Sequence, residues 1–359
     1  MLTVIVFIII LALLVFVHEL GHFLVAKRYG VKVEEFGFGF PPRIWGIKRG
    51  GTLYSLNWIP LGGFVKILGE DGEEKENPNS FAHKKIWQRS SILAAGVIMN
   101  ILLAIALAGL GYTIGLPTAI DDAQEAAGAQ VQIVAVAADS PAALAGIKAG
   151  DTVVSLQSQD SPQIKEISRA ADFQDFANQH KGQEILLHLR RGQQVFAVEA
   201  TPRANPPTGE GPLGVALARV VIQSYPWQRA IFEGGAAVLS LTWATLAGLG
   251  HLLWQLVWHT RVVGELTGPV GIFSLTGQAA QLGFVYLLQL TVILSINLAI
   301  VNIMPWPALD GGRLLFLLIE KIKGRPIKQT LEKAIHTIGF VLLILLMVLV
   351  TLRDIVKIF

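Results

Sequence analysis

Four apolar runs, at residues 2–17, 92–110, 284–303 and 338–352, restrict the folds open to this chain more than any other feature. A bilayer's hydrocarbon core takes ~20 mostly apolar helical residues to cross, and each run approaches or meets that length. A buried soluble helix accounts for one such run, not for the set. Composition agrees: 52% of the residues are apolar and 15% charged, against about 25% charged in a soluble domain. The chain reads as an α-helical polytopic membrane protein with about four transmembrane helices. It has no cysteine, which removes disulfides and thiolate chemistry, so any metal must be held by His, Asp or Glu. A net charge of +3 gives no reason to expect nucleic acid as a partner; the partner the apolar runs imply is the lipid bilayer.

The basic residues report topology. Lys27, Arg28 and Lys32 follow the first run, Lys84, Lys85 and Arg89 precede the second, and Lys321, Lys323, Arg325, Lys328 and Lys333 follow the third. Cytoplasmic flanks are rich in Lys and Arg, so both termini are expected outside. No Lys or Arg precedes the first run and no A-x-A site closes it, so it reads as a retained span and not as a cleaved signal peptide. Residues 234–258 are also apolar and carry Trp243, Trp254 and Trp258. A crossing there would put the last basic cluster outside, so a helix lying on or dipping into the outer leaflet is expected.

The organisation that follows is a first transmembrane helix at 1–28 and a β-rich, membrane-associated or cytoplasmic region at 29–83. A second transmembrane helix covers 84–116, and an extracytoplasmic soluble α/β domain covers 130–202. Linker and interfacial amphipathic helices fill 203–283, and a third transmembrane helix covers 284–312. A cytoplasmic basic loop at 313–337 and a fourth transmembrane helix at 338–359 complete the chain. In the β-rich region, residues 33–40 and 53–59 alternate as a hairpin does, and Gly62, Gly63 and residues 65–68 extend it.

The residues that carry chemistry are His18-Glu19-Leu20-Gly21-His22. Histidines at i and i+4 share one helical face, so both imidazoles can meet one Zn²⁺ while Glu19 stands beside them to take a proton from water. At ~1.5 Å per residue, the sixteen residues between Leu2 and Val17 carry His18 ~24 Å along its helix, within the membrane and nearer the cytoplasm. Ionisable groups there are costly and by default functional. A catalytic zinc needs a third protein ligand and an open position. Asp310 suits it, in Asn302-Ile-Met-Pro305-Trp-Pro307-Ala-Leu-Asp310-Gly311-Gly312, where two prolines and two glycines break the end of a span and turn a carboxylate inward.

These motifs resemble the site-2 protease family, most closely its bacterial envelope-stress branch of RseP-like regulators of sigma-factor release. The resemblance runs over nearly the whole chain. It includes His18 to His22, Pro60-Leu-Gly-Gly-Phe-Val-Lys66, Gly96-Val-Ile-Met-Asn100, Leu266-Thr-Gly-Pro-Val-Gly271 and the stretch from Asn302 to Gly312. It implies a zinc metalloendopeptidase with one Zn²⁺ per chain held by His18, His22 and Asp310, and Glu19 as general base. It also implies that Asn302 and Asn100, with Gly62 and Gly63, bind substrate or shape the site. Val97 stands where the family often has proline, which loosens the transfer to Asn100. The implied partners are membrane proteins cut in a transmembrane segment, anti-sigma factors among them. The implied setting is a multi-pass protein of a bacterial-type inner membrane, with thylakoid or organelle membranes still open.

Residues 130–202 resemble a single bacterial-type PDZ domain through Ser140-Pro-Ala-Ala-Leu-Ala-Gly and Gly150-Asp151. Peptide binding by strand addition and steric filtering of untrimmed substrates are both open to it. The edge of the β-rich region can capture an unwound substrate by backbone hydrogen bonds. His251 and His259, eight residues apart with no carboxylate between, read as interfacial side chains. His83, His180, His188 and His336 sit among polar neighbours and attract no role. Two other classes remain in view: a metal-ion transporter, for which no repeated motif is found, and a non-catalytic scaffold presenting its PDZ domain.

Overall fold

The computed structural model describes residues 2–72, 74–158, 161–258 and 267–358. In chain order the elements are α1 (Leu2–Arg28), β1 (Val33–Arg49), β2 (Thr52–Ile67), α2 (Ile86–Ile114), β3 (Leu116–Ile120) and β4 (Gln130–Val136). Next come α3 (Pro141–Leu144), β5 (Thr152–Ser158), β6 (Ser161–Glu166), α4 (Ala170–Gln179), β7 (Ile185–Arg191), β8 (Gln194–Ala200) and β9 (Val215–Gln223). The last five are α5 (Trp227–Trp258), α6 (Pro269–Leu282), α7 (Phe284–Ile303), α8 (Asp310–Lys323) and α9 (Gln329–Ile358). Two compact units result. One holds the described residues up to Leu110, from Gln228 to Ala280 and from Leu287 on; the other holds Gly111–Trp227 and Gln281–Tyr286.

In the first unit, α1, α2, α7 and α9 carry the four apolar runs. Among the described residues, five helices are long and apolar enough to cross a membrane, the fifth being α5 over Trp227–Leu252. It is the least apolar of the five. Its beginning lies on the far end of α2, where Gly234 abuts the backbone of Ala108 and Gly109 and Val238 packs with Ala104 and Ala108. The middle of α6 lies at the start of α1: Phe273 meets Phe7 at 5.6 Å and Gly277 faces Thr3. His259 and Leu266 lie outside the described residues.

β1 and β2 pair antiparallel, but each is bent, and the register reveals four limbs. Residues 33–38 pair with 63–67 on one side and 53–56 on the other, while 43–49 pair with 52–57. The limb order is 43–49, 52–57, 33–38, 63–67. Aromatic contacts dock the inner limbs on α1: Phe16 and Phe23 meet Phe36 at 5.4 and 4.9 Å, each such pair contributing about 1 kcal/mol beyond burial. The 43–49 limb leaves Ile44, Trp45 and Ile47 exposed, and Trp58, just past the 52–57 limb, is exposed too, an apolar surface suited to lipid.

Residues 313–337 are not a loop, as their charge had suggested. α8 occupies most of the first half and α9 begins at Gln329. Leu317 is buried with Ala26, Ile92 and Leu93, while Arg313 pairs with Glu70 and Glu320 with Arg89 (2.6 Å). Of the cluster's cations, Lys321 and Lys323 close this amphipathic helix, which is held by its apolar face.

The second unit is one sheet of order β3–β9–β4–β5–β7–β8, with β6 on β5. The domain therefore exceeds 130–202. β9, beyond the Pro/Gly stretch after residue 202, pairs with β4, and β3, directly after α2, pairs with β9. Strand pairing across ~100 residues leaves no local sequence mark. The core is the inward face of β7 (Ile185, Leu187, Leu189) with Val131, Ile133, Leu156, Phe173 and Phe176. Ser140 caps α3 by accepting from the Ala143 amide at 3.1 Å, ahead of Pro141 at the first helical position. The Gly-Asp turn has an equally local reason. The fully buried Asp151 carboxylate accepts from Arg191 at 2.6 and 2.7 Å and from the Lys148 amide at 2.9 Å.

Candidate metal centre

His18 and His22 leave α1 on the face packed against α2, and their Nε2 atoms lie 3.2 Å apart. Asp310 Oδ2 is 3.1 Å from the first and 3.3 Å from the second. Among the described residues these three form the one group of His and carboxylate donors within reach of a single ion. A tetrahedral cation with ~2.0–2.1 Å bonds has ligand atoms ~3.3 Å apart, so the triangle matches one face of its shell. Asp310 Oδ2 is buried and accepts no hydrogen bond. A carboxylate oxygen and two imidazole nitrogens turned on one another fit a zinc ion between them and make little sense without a cation.

Surrounding groups orient the imidazoles. His22 Nδ1 lies 2.8 Å from the Ile92 carbonyl, to which its N–H donates, leaving the Nε2 lone pair for the centre. His18 Nδ1 lies 3.2 Å from Nδ2 of Asn100, which is fully buried and whose Oδ1 has no hydrogen-bond partner. With Nε2 given to a metal, Nδ1 would carry the proton, and the Asn100 amide, turned over about its last bond, would present its unpartnered oxygen to it. Ser295 of α7 in turn donates to the Asn100 carbonyl at 2.8 Å. Gly96 makes the approach possible, since a Cβ there would stand 2.6 Å from His18 Cε1 and 2.8 Å from Nε2. The sequence marked Gly96 in a motif but offered no reason for it.

Asp310 arrives from the opposite side. α7 ends at Ile303, and Pro305 and Pro307 keep the next residues out of the helix. α8 restarts at Asp310 itself, with Gly311 and Gly312 in its first turn. The carbonyls of Ile303, Met304 and Trp306 lie against those glycines and leave no room for a side chain. The prolines break the helix; the glycines let it restart against the break. Asn302 borders the centre, its amide nitrogen 3.5 Å from His18 Nε2.

Glu19 is not in the donor triangle. Its Oε2 accepts from the backbone amide of Val65 at 3.1 Å, so the outermost limb of the sheet lies beside this carboxylate. Gly62 rests on Val15 with φ +111°, and Gly63 lies on the Gly37 carbonyl. Both begin that limb and stand apart from the three ligand atoms. Val65 was missed because a backbone amide has no residue type to betray it.

The family model for Peptidase family M50 matches residues 6–346. A Clostridium acetobutylicum protein provisionally named as a zinc metalloprotease is 34% identical over 346 residues, covering 96% of this chain and 94% of its own. Zinc metalloprotease RasP of Geobacillus kaustophilus is 30% identical, with 99% and 98% covered. Regulator of sigma-W protease RasP of Bacillus subtilis is 30% identical, with 99% of each covered. The solved PDZ domain of an SdrC-like protein from Listeria monocytogenes is similar over 26% of this chain and 92% of that domain, at 19% identity and a TM-score of 0.22. With the family model spanning all but the two ends and relatives aligned over almost their full length, this chain belongs to peptidase family M50.

Proposed function

We propose that this protein is an intramembrane zinc metalloendopeptidase that cuts transmembrane segments of other membrane proteins. The observation that carries the reading is the triangle of His18, His22 and Asp310, set among apolar helices with Glu19 beside it. Those three residues would hold one Zn²⁺, which when bound supplies a Lewis acid that polarises the scissile carbonyl and acidifies water. Glu19 takes the proton of the attacking water and returns it to the departing amide nitrogen. Asn100 holds the His18 ring, and Asn302 stands where substrate must pass. The limb that begins at Gly62 and Gly63 offers its edge to an unwound substrate, with the amide of Val65 already turned toward Glu19.

The protein is read as a multi-pass component of a bacterial-type inner membrane, with four spans, α5 and α6 returning to the outer side, and the soluble domain outside. The Bacillus subtilis relative is named a regulator of sigma-W protease, which makes anti-sigma factors the first substrates to try. The soluble domain is read as PDZ-like and as a gate. Its strand β9 already has β3 on the outer edge from Arg219 to Gln223, where a recruited peptide would add.

Glu19→Gln tests the chemistry: it should keep zinc and stop cleavage, and uncut membrane fragments should accumulate in a strain carrying it. Cleavage that continues at the normal rate would overturn the assignment. Reporter fusions after Lys85 and Lys328 should both report cytoplasm; opposite answers would mean that α5 crosses the bilayer. Deleting the whole sheet, residues 116–223, should let the enzyme cut substrates that still carry a folded outer domain. Slower cutting of pre-trimmed substrate, with no gain on the intact form, would instead favour recruitment.

A further inference from the structure

We infer that His336, on α9, is a positioning residue for Asp310. The inference rests on Asp310 being a metal ligand, as proposed above. The six residues between α7 and α8 have few helical hydrogen bonds to fix them, and within them Ala308 adopts φ +77°. That left-handed conformation costs a non-glycine residue about 1 kcal/mol or more, and it persists only where surrounding contacts enforce it. The contacts come from α9. The Ala308 amide donates to His336 Nδ1 at 2.8 Å. One turn on, Gly339 lies against Pro307 so closely that a Cβ would stand 2.8 Å from the Pro307 carbonyl oxygen, and the Gly339 carbonyl accepts from Trp306 Nε1 at 3.4 Å. The His336 ring also lies on Phe316 of α8, centroids 5.3 Å apart.

His336 therefore touches both sides of Asp310 in sequence: Ala308, two residues before, and Phe316, six after. With Nδ1 accepting, the ring is the neutral tautomer with its proton on Nε2, and Nε2 is buried without a hydrogen-bond partner. A histidine kept in that state does one job here, which is to hold the Ala308 amide in its left-handed turn. Asp310 must meet two imidazoles from another helix to within tenths of an ångström, and α9 sets that distance through this bond.

The test uses the full-length protein in detergent, loaded with zinc, and follows release of the ion to a chelator. Cobalt-loaded samples add the visible absorption of the ion as a report on ligand geometry. His336→Phe keeps the ring on Phe316 and removes the acceptor; it should speed zinc release about 10- to 100-fold and alter the cobalt spectrum. His336→Asn, whose amide oxygen falls near the position of Nδ1, should restore most of both. Ala308→Gly in the His336→Phe background should do the same, because glycine holds φ +77° unaided. Wild-type release and an unchanged cobalt spectrum in His336→Phe would overturn the inference, as would an Ala308→Gly double variant no better than the single one. An Asp310→Ala control that retains zinc as the wild type does would instead overturn the ligand set, and this inference with it.

Discussion

Two aspartates, one in each unit, set the two halves of this molecule apart. Asp151 in the soluble domain is wholly inaccessible, and both its oxygens are answered, by the Arg191 guanidinium and the Lys148 amide. Asp310 in the membrane unit has 19% of its side chain exposed, yet its Oδ2 faces two imidazoles and accepts no hydrogen bond. The first is a finished structure, a turn closed by an ion pair. The second is one of three donors turned on a common point. A fold that satisfies one carboxylate completely and leaves another aimed at two ring nitrogens is keeping the second for a cation, because an unanswered buried charge is otherwise too costly.

The comparison breaks if the two aspartates respond alike to substitution. Asp310→Ala or His22→Ala should lose zinc and lower cleavage by at least about 10³-fold, with the helices intact by circular dichroism. Asn100→Leu should weaken zinc binding about 10- to 100-fold, measured by competition with a chelator, because the His18 Nδ1 proton loses its acceptor. Arg191→Ala should destabilise the soluble domain by about 2–3 kcal/mol in denaturant titration, since the Asp151 charge stays buried. Zinc affinity should not change. Replacing Asp151 and Arg191 together by apolar residues should recover much of that loss, whereas no apolar pair can stand in for the donors at the metal centre.

The smallest expected effect is at Asp122, which accepts from the amides of Ala170 and Ala171 at 2.8 and 3.0 Å at the start of α4. Burial pushes its carboxyl up, but these two amides and the charges of Arg219 and Arg169 together hold it below the usual carboxylate range. A carboxyl depressed in the folded state stabilises above its unfolded pKa, and that contribution fades as pH falls through the folded one. Asp122→Ala should thus cost about 0.5–1 kcal/mol at pH 7 and nothing once the wild-type group is protonated. Thermal unfolding at the two pH values checks it.

The three residues that meet at the candidate metal centre could be picked out because their rules are local. Two histidines a turn apart and an aspartate after a proline break state their chemistry in their spacing. The four apolar runs stated their helices in the same way. What stayed hidden depends on distant partners. β3 and β9 join the sheet from beyond both limits drawn for the domain, because pairing across ~100 residues leaves no periodicity to read. The four-limb order of β1 and β2 arises from bends that put residues 33–38 between two parts of one strand. α8 was read as a basic loop because its cations, at the end of the helix, stood out more than the apolar face carrying Leu317. His336 was set aside for its polar neighbours, while its contact with Ala308 is made across 28 residues.

The central claim is that these ligands cut peptide bonds inside a membrane. The direct test reconstitutes the full-length protein with zinc in lipid vesicles alongside a single-span substrate, and maps products by mass spectrometry. Wild-type protein should cut within the substrate's transmembrane segment, and Glu19→Gln, with equal zinc content, should fall by about 10²- to 10⁴-fold. Products that end outside the membrane segment, or equal cleavage by the two proteins, would contradict the account.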